Sequence, residues 1–301
     1  MLDIDRPRDS DIHTIADFAE LLCLLNIDRI CSRETISDHI LGTGSPRGSV
    51  PSGLELDDCF GHLEWRVNAF GADYPFAFST PGRVISAPED LTPRQKLYAF
   101  LLLCSNLPFT SRPYNPLTDA FERISIRVLK NVWPVGGMVK AFGKNEAEYA
   151  GAKWERINAL AKDIGAHPGC HEGSFRDRDT GDGGIDLAAW LRLDSFEKRN
   201  IPSALGQCAC SRDQWPKKQA EISCDVLGNN IRPSHRWMQL MFIPHCFRNN
   251  RGDWAFDGEV TMSVVFDRLR IMSQLPGDVD WDGIAPPQVF NDFLDFRFDL
   301  V

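Results

Sequence analysis

Apolar side chains recur at three- and four-residue intervals through the first half of the chain, and each such run predicts an amphipathic helix. Ile12, Ile15, Phe18, Leu21, Leu22 and Leu25 fall on one face of the segment IHTIADFAELLCLLNI, with Ser10 or Asp11 placed to cap its start. Further helices are predicted over residues 56–70, 93–105 and 116–133. The last has Asn115 as a cap and Pro116 at the first helical position, where a missing N–H costs little, and its buried stripe is Leu117, Phe121, Ile124, Val128 and Leu129. A cluster of Gly, Ser and Pro over residues 42–53 interrupts this pattern and predicts a loop.

From about residue 146 the pattern changes to one helix followed by short apolar runs between glycines and charged loops, which is the texture of an α/β domain. The helix AEYAGAKWERINALAKDIGA gathers Trp154, Ile157, Leu160, Ala161 and Ile164 on one face before Gly165 ends it. Strands are predicted over residues 184–191, 204–210 and 237–244. The segment DQWPKKQAEISCDVLG between the last two is long enough for a crossover helix, so those two strands are expected to run parallel. Downstream, GEVTMSVVFDRLRIMSQL passes from a strand or helix into a helix, and PPQVFNDFLDF closes the chain as a short acidic helix. The expected organisation is a mainly helical region over 1–145, serving partner binding or regulation, and an α/β domain over 146–301.

Composition adds limits rather than a function. The 301 residues are 43% apolar and 25% charged, an ordinary balance for a globular protein, and no run approaches the roughly 18 apolar residues of a membrane span. The first residues mix acids and bases where a secretory signal needs a positive start and an apolar run. With nine scattered cysteines read as reduced thiols, the expected location is the cytoplasm, away from membranes. Cys208 and Cys210, with Cys224, Cys246, His235 and His245, lack the recurring spacing of a zinc site, and Cys208 and Cys210, alternating along a strand, read as small hydrophobes on one side of it. The net charge of −9 argues against a surface that grips nucleic acid all round. It is unevenly spread: residues 1–150 carry 15 basic and 20 acidic side chains, 151–250 carry 14 and 12, and 251–301 carry 4 and 10. The middle segment is the one compatible with a local nucleic-acid site.

The chemistry lies in that segment. In RDTGDGGIDLAAW, a glycine-rich turn enters an apolar strand and leaves Asp182 and Asp186 near its start. Asp182 reads equally as a turn former. Asp186 sits between Ile185 and Leu187, and a carboxylate in such a run is costly unless it is paired or bound to a cation. A hard divalent ion such as Mg2+ answers that cost, because it takes oxygen ligands and keeps waters that serve as nucleophiles. Gln207, between Gly206 and Cys208 on the next predicted strand, repeats the anomaly. No Walker loop, dinucleotide fingerprint or Ser-His-Asp signature competes with this reading.

The order of WERINALAKDIGA, GDGGIDL and an apolar strand with GQCA resembles the Mrr-type branch of the PD-(D/E)XK nucleases over about 65 residues. The resemblance implies a restriction-endonuclease-like mixed sheet flanked by helices. It also implies Mg2+ as cofactor, with Mn2+ as a substitute, and DNA as substrate. By it, Glu155 matches the family's helical glutamate, Asp186 the metal-binding aspartate and Gln207 the acid or amide of the last motif. The family's lysine falls at Ala209 here. Two readings follow. In one, Lys217 or Lys218 on the crossover helix supplies the cation, Arg212 contacts phosphate, and the chain is a DNA endonuclease of a prokaryotic restriction or antiviral system, with a protein partner or second copy adding DNA affinity. In the other, the lysine is lost and the chain is a nuclease-fold adaptor in a defense complex. RNA stands as a third possible substrate.

Overall fold

The structure, a computed structural model, describes residues 11–42, 53–79, 83–110, 112–143, 148–176, 181, 183–278, 281–284 and 287–299. Most of the predicted 42–53 loop, and Asp182, lie outside them. The chain forms two compact units, one of residues 1–120, 244–256 and 276–301, the other of residues 121–243 and 257–275. The first division between these units falls at 120/121, where 145/146 was expected from the change of pattern, and the chain twice leaves the second unit for the first. The physical reasons are long-range pairings: residues 138–141 join the sheet of the second unit, and Phe298 pairs with Asn26 in the first.

The first unit begins with α1 (Ile12–Leu25), β1 (Ile30–Ser32), α2 (Arg33–Gly42) and α3 (Gly53–Phe70), then β2 (Ala77–Ser79), β3 (Val84–Ser86) and α4 (Pro93–Ser105). Asp11 caps α1 by accepting from the His13 and Thr14 N–H groups at 2.9 and 3.1 Å. At α4 a capping box forms between Thr92 and Gln95, and Pro93 occupies the first turn. A three-stranded antiparallel sheet in the order β1-β3-β2 was not expected in this helical region. Its strands are three residues each, too short to show an alternating pattern.

His62 on α3 gives this unit a pH dependence. Its ring is fully buried, stacks on Trp65 and bonds through Nδ1 to Asn250 Oδ1 at 3.0 Å. Burial, then the positive charges of Arg66 and His13, push its pKa down to about 2. The folded ring stays neutral, whereas the unfolded ring takes a proton below about pH 6.5. A depressed folded pKa means that this contribution to stability is complete above about pH 6.5 and is lost as pH falls from there toward 2. Between about pH 7.5 and 5 the first unit is expected to lose about 2 kcal/mol through this one group. A His62→Gln variant keeps a hydrogen-bonding side chain but has no proton to gain. Its unfolding free energy in urea should fall less steeply over that range, and identical slopes would refute the assignment.

In the second unit α5 (Asn115–Val132), which begins in the first, leads to β4 (Met138–Ala141), α6 (Lys153–Asp163), β5 (His167–Pro168), β6 (Leu187–Trp190) and β7 (Ser203–Cys208). Two four-residue helices, α7 (Trp215–Lys218) and α8 (Cys224–Leu227), then lead to β8 (Ile231–Arg232) and β9 (Met238–Phe242), and β10 (Val264–Phe266) and α9 (Arg268–Gln274) complete the unit. The predicted crossover helix is therefore broken in two, with Pro216 in the first turn of one piece and Ser223 capping the other. Two further short helices, α10 (Trp281–Ile284) and α11 (Gln288–Asp295), belong to the first unit.

The result is a mixed α/β unit around a five-stranded sheet in the order β10-β9-β7-β6-β4. β6 lies between β4 and β7 and pairs antiparallel with each, whereas β7, β9 and β10 run parallel, so the expected parallel pairing of the last two predicted strands is present. The apolar stripe of α6, with Ile157, Leu160 and Ile164, packs against Ala188, Trp190 and Leu205 of the sheet. Each such side chain contributes roughly 1.5–3 kcal/mol of burial. This packing fixes β6 and β7 as a rigid base for the side chains at their ends. No helix among the described residues is long and apolar enough to cross a membrane.

Candidate functional site

Asp186 stands immediately before β6, where the pairing loses its regularity. Leu187 pairs with Gly206, yet the Asp186 N–H also donates to the Gly206 carbonyl at 2.9 Å, one residue out of register. Such a break bends the strand and re-aims the side chain. On the other side, the Phe142 and Gly143 N–H groups donate to the Asp186 carbonyl at 2.7 and 3.1 Å. The backbone is thus held from both neighbouring strands, and the carboxylate is fixed in turn. Its Oδ2 accepts the Cys208 N–H at 2.6 Å, and the residue is 8% exposed.

The helical glutamate brought to this carboxylate is Glu122 of α5. A Cβ built on Gly143 would stand 3.1 Å from Glu122 Oε2 and 3.7 Å from Asp186 Oδ1, so the glycine leaves a gap between two acids. Cys208 registers both charges: burial, then Asp186 and Glu122, push its thiol well above the usual range. Arg156 of α6 steadies this corner by donating through Nη2 to the Phe142 and Gly143 carbonyls at 2.6 and 3.3 Å.

Glu155 does something else. As the third residue of α6 it reaches back to the Ala152 N–H at 2.8 Å, satisfying one of the donors left open at the helix start. It lines a separate cleft with Lys140, Trp154, Asn158 and Asp163. The glutamate that borders Gly143 together with Asp186 is Glu122. The signal for Glu122 is its position three residues before Ser125, whose fully buried hydroxyl lies on the same helical face.

Gln207 is 4% exposed at the end of β7. Its Nε2 donates to Glu221 Oε2 at 2.7 Å, and its Oε1 is buried without a hydrogen-bond partner among the described residues. Such an orphan acceptor costs about 1–3 kcal/mol unless a ligand meets it. Gly184, with φ of +83°, borders the pair, since a Cβ there would stand 2.9 Å from Glu221 Oε2.

The expected cations lie in the turn after β7 and on α7. Lys217 is exposed and Lys218 half-buried on α7, and the side chain that this crossover sends to Gln207 is Glu221, not a lysine. Arg212 is half-buried in the turn after β7. Ala209, at the family's lysine position, is buried, with its N–H donating to the Phe242 carbonyl. The cation next to the glycine turn is Lys153, the first residue of α6. Its Cε lies 4.0 Å from where a Gly183 Cβ would stand, and its Nζ is 4.6 Å from the Phe175 ring centre. Sequence reading passed over it because it precedes the turn by 30 residues.

All nine cysteines are free thiols, and among the described residues no three His, Cys, Asp or Glu side chains are grouped to hold a metal ion. A Mg2+ ion asks for less, one or two carboxylates and other oxygens with waters completing its shell. Asp186 and Glu122 across the Gly143 gap, with the orphaned Gln207 oxygen nearby in the chain, fit such a donor set in kind. No family model, curated protein or solved structure matches this chain.

Proposed function

We propose that this protein is a Mg2+-dependent nuclease, with Mn2+ as a substitute, and that Asp186 and Glu122 are its principal cation ligands and Gln207 a third. The observation that carries this reading is the gap at Gly143 between two acids, one of them fixed by a backbone N–H. Order along the chain adds support. A helical glutamate, the aspartate that ends GDGGID and an amide on the following strand keep the sequence of parts that the resemblance to PD-(D/E)XK nucleases implies, with Glu122 in the place assigned to Glu155. The five-stranded mixed sheet is compatible with the restriction-endonuclease-like fold.

When bound, Mg2+ would polarise a phosphodiester oxygen and lower the pKa of a coordinated water. The residues supply the arrangement around it. The Cys208 N–H holds the Asp186 carboxylate in one orientation, and Glu122 Oε2 is placed to accept a hydrogen bond from a water in the gap. Lys153 takes the part of the family's lysine, its ammonium offsetting charge that builds on the phosphate. DNA is the substrate that the resemblance implies, and a role in prokaryotic restriction or antiviral defense goes with it. At a net charge of −9, a protein partner or second copy would supply much of the affinity for a polyanion.

The test is cleavage of supercoiled plasmid and of a matched RNA by the purified protein, with Mg2+, Mn2+ or chelator. Metal-dependent nicking of DNA is expected. Lys153→Ala should lower the rate about 10²-fold, whereas Lys217→Ala and Lys218→Ala should leave it nearly unchanged. Ala209 favors a second reading, the adaptor that keeps the fold without the chemistry. Under it, neither nucleic acid is cut with either metal.

A further inference from the structure

A glutamine can present either end of its amide, because the oxygen and the NH2 group occupy nearly the same space. Something must choose between them if Gln207 is to offer an oxygen to a cation. The choice falls to Glu221. An ionised carboxylate only accepts hydrogen bonds, so a 2.7 Å contact between Glu221 Oε2 and Gln207 requires the NH2 end to face it. The oxygen is then turned the other way, where it is buried and, among the described residues, without a hydrogen-bond partner. Gly184 leaves room for the arrangement, since any larger residue would place its Cβ 2.9 Å from Glu221 Oε2 and 3.4 Å from Gln207 Nε2.

We propose that Glu221 is a positioning residue, which locks the Gln207 amide with Oε1 directed to a divalent cation. The inference rests on the reading of Asp186 and Gln207 as parts of one cation site. It makes a demand that a merely structural role would not. Orientation matters for an amide and not for a carboxylate, whose two ends are alike. A glutamate at 207 would need no Glu221 to direct it.

The experiment is titration of the full-length protein with Mn2+, followed by electron paramagnetic resonance of the free ion. Glu221→Ala should weaken binding about 10- to 100-fold, as loss of a group behind a ligand commonly does. The double variant Gln207→Glu/Glu221→Ala should regain wild-type affinity or exceed it. Binding that Glu221→Ala leaves unchanged, or a double variant as weak as Glu221→Ala alone, overturns the inference. The underlying reading fails separately: if the wild type binds no Mn2+, or Asp186→Asn binds as well as the wild type, there is no such site for Glu221 to serve.

Discussion

Replacing Asp186 by asparagine is expected to lower Mg2+-dependent cleavage about 10³-fold while leaving the fold intact. Asparagine has the same shape, and its side-chain oxygen can still accept the Cys208 N–H that Asp186 Oδ2 accepts at 2.6 Å. What disappears is the negative charge. A metal-held charge of this kind is worth several kcal/mol to a phosphoryl-transfer transition state, and about 4 kcal/mol corresponds to about 10³-fold in rate. The variant should also respond differently to the cation. Without Mg2+, the variant keeps the shape of the side chain and the Cys208 contact, so it should melt near the wild-type temperature. At about 100 times its Kd, Mg2+ stabilises a protein that binds it only when folded by about 2.7 kcal/mol. The wild type should show that gain and the variant should lose most of it. A variant that melts low with or without metal would make Asp186 a structural residue.

A second large effect is expected in the first unit, where Arg66 is fully buried and donates through Nη1 to Asp17 Oδ1 and Glu20 Oε1, both at 2.7 Å. Glu20 also accepts from the Tyr74 and Tyr98 hydroxyls, and Asp17 from Ser105. Burial by itself disfavors the Arg66 cation, but Glu20, Tyr98 and Asp17 outweigh it and hold the guanidinium charged. Arg66→Met fills similar space yet strands two carboxylates away from water. Breaking one side of a buried ion network costs about 3–5 kcal/mol. The triple variant Asp17→Asn/Glu20→Gln/Arg66→Met removes the charges together and should recover much of that loss, because replacing every member of such a network is far less costly than removing one. Urea unfolding followed by hydrogen exchange in α1 and α3 checks both. A loss under about 1 kcal/mol for Arg66→Met would mean that the network contributes little.

What the sequence disclosed of the fold follows the range of the forces involved. Helices α1, α4 and α5 were legible because periodicity and caps are local, as were β6, β7 and β9 from their apolar runs. The parallel pairing of β7 with β9 followed from the length of chain between them. β4 was not legible. Three of its four residues are at least partly exposed, and it becomes a strand by pairing with β6, more than 40 residues away. For the same reason the division into compact units was not legible, since neither that pairing nor the return of Phe298 to Asn26 leaves a local trace.

At the candidate site, Asp186 and Gln207 could be singled out because each is a polar residue within an apolar run, and both are buried. Glu155 follows from the order of motifs that the resemblance implies, whereas Glu122 lies on an earlier helix outside the stretch that the resemblance covers. Yet a glutamate at the third position of a helix has a local use, capping, and Glu155 has that use here. Lys153 and Glu221 were invisible for a related reason. Each reaches the glycine turn through the fold, and side chains of their type are ordinarily solvated.

The assignment of Glu122 beside Asp186 is the central claim, and the most direct test is calorimetric titration of Mg2+ or Mn2+ into the wild type, Glu122→Gln and Glu155→Gln. Glu122→Gln should bind at least about tenfold more weakly and Glu155→Gln like the wild type. Weakened binding by Glu155→Gln with Glu122→Gln unaffected would contradict it.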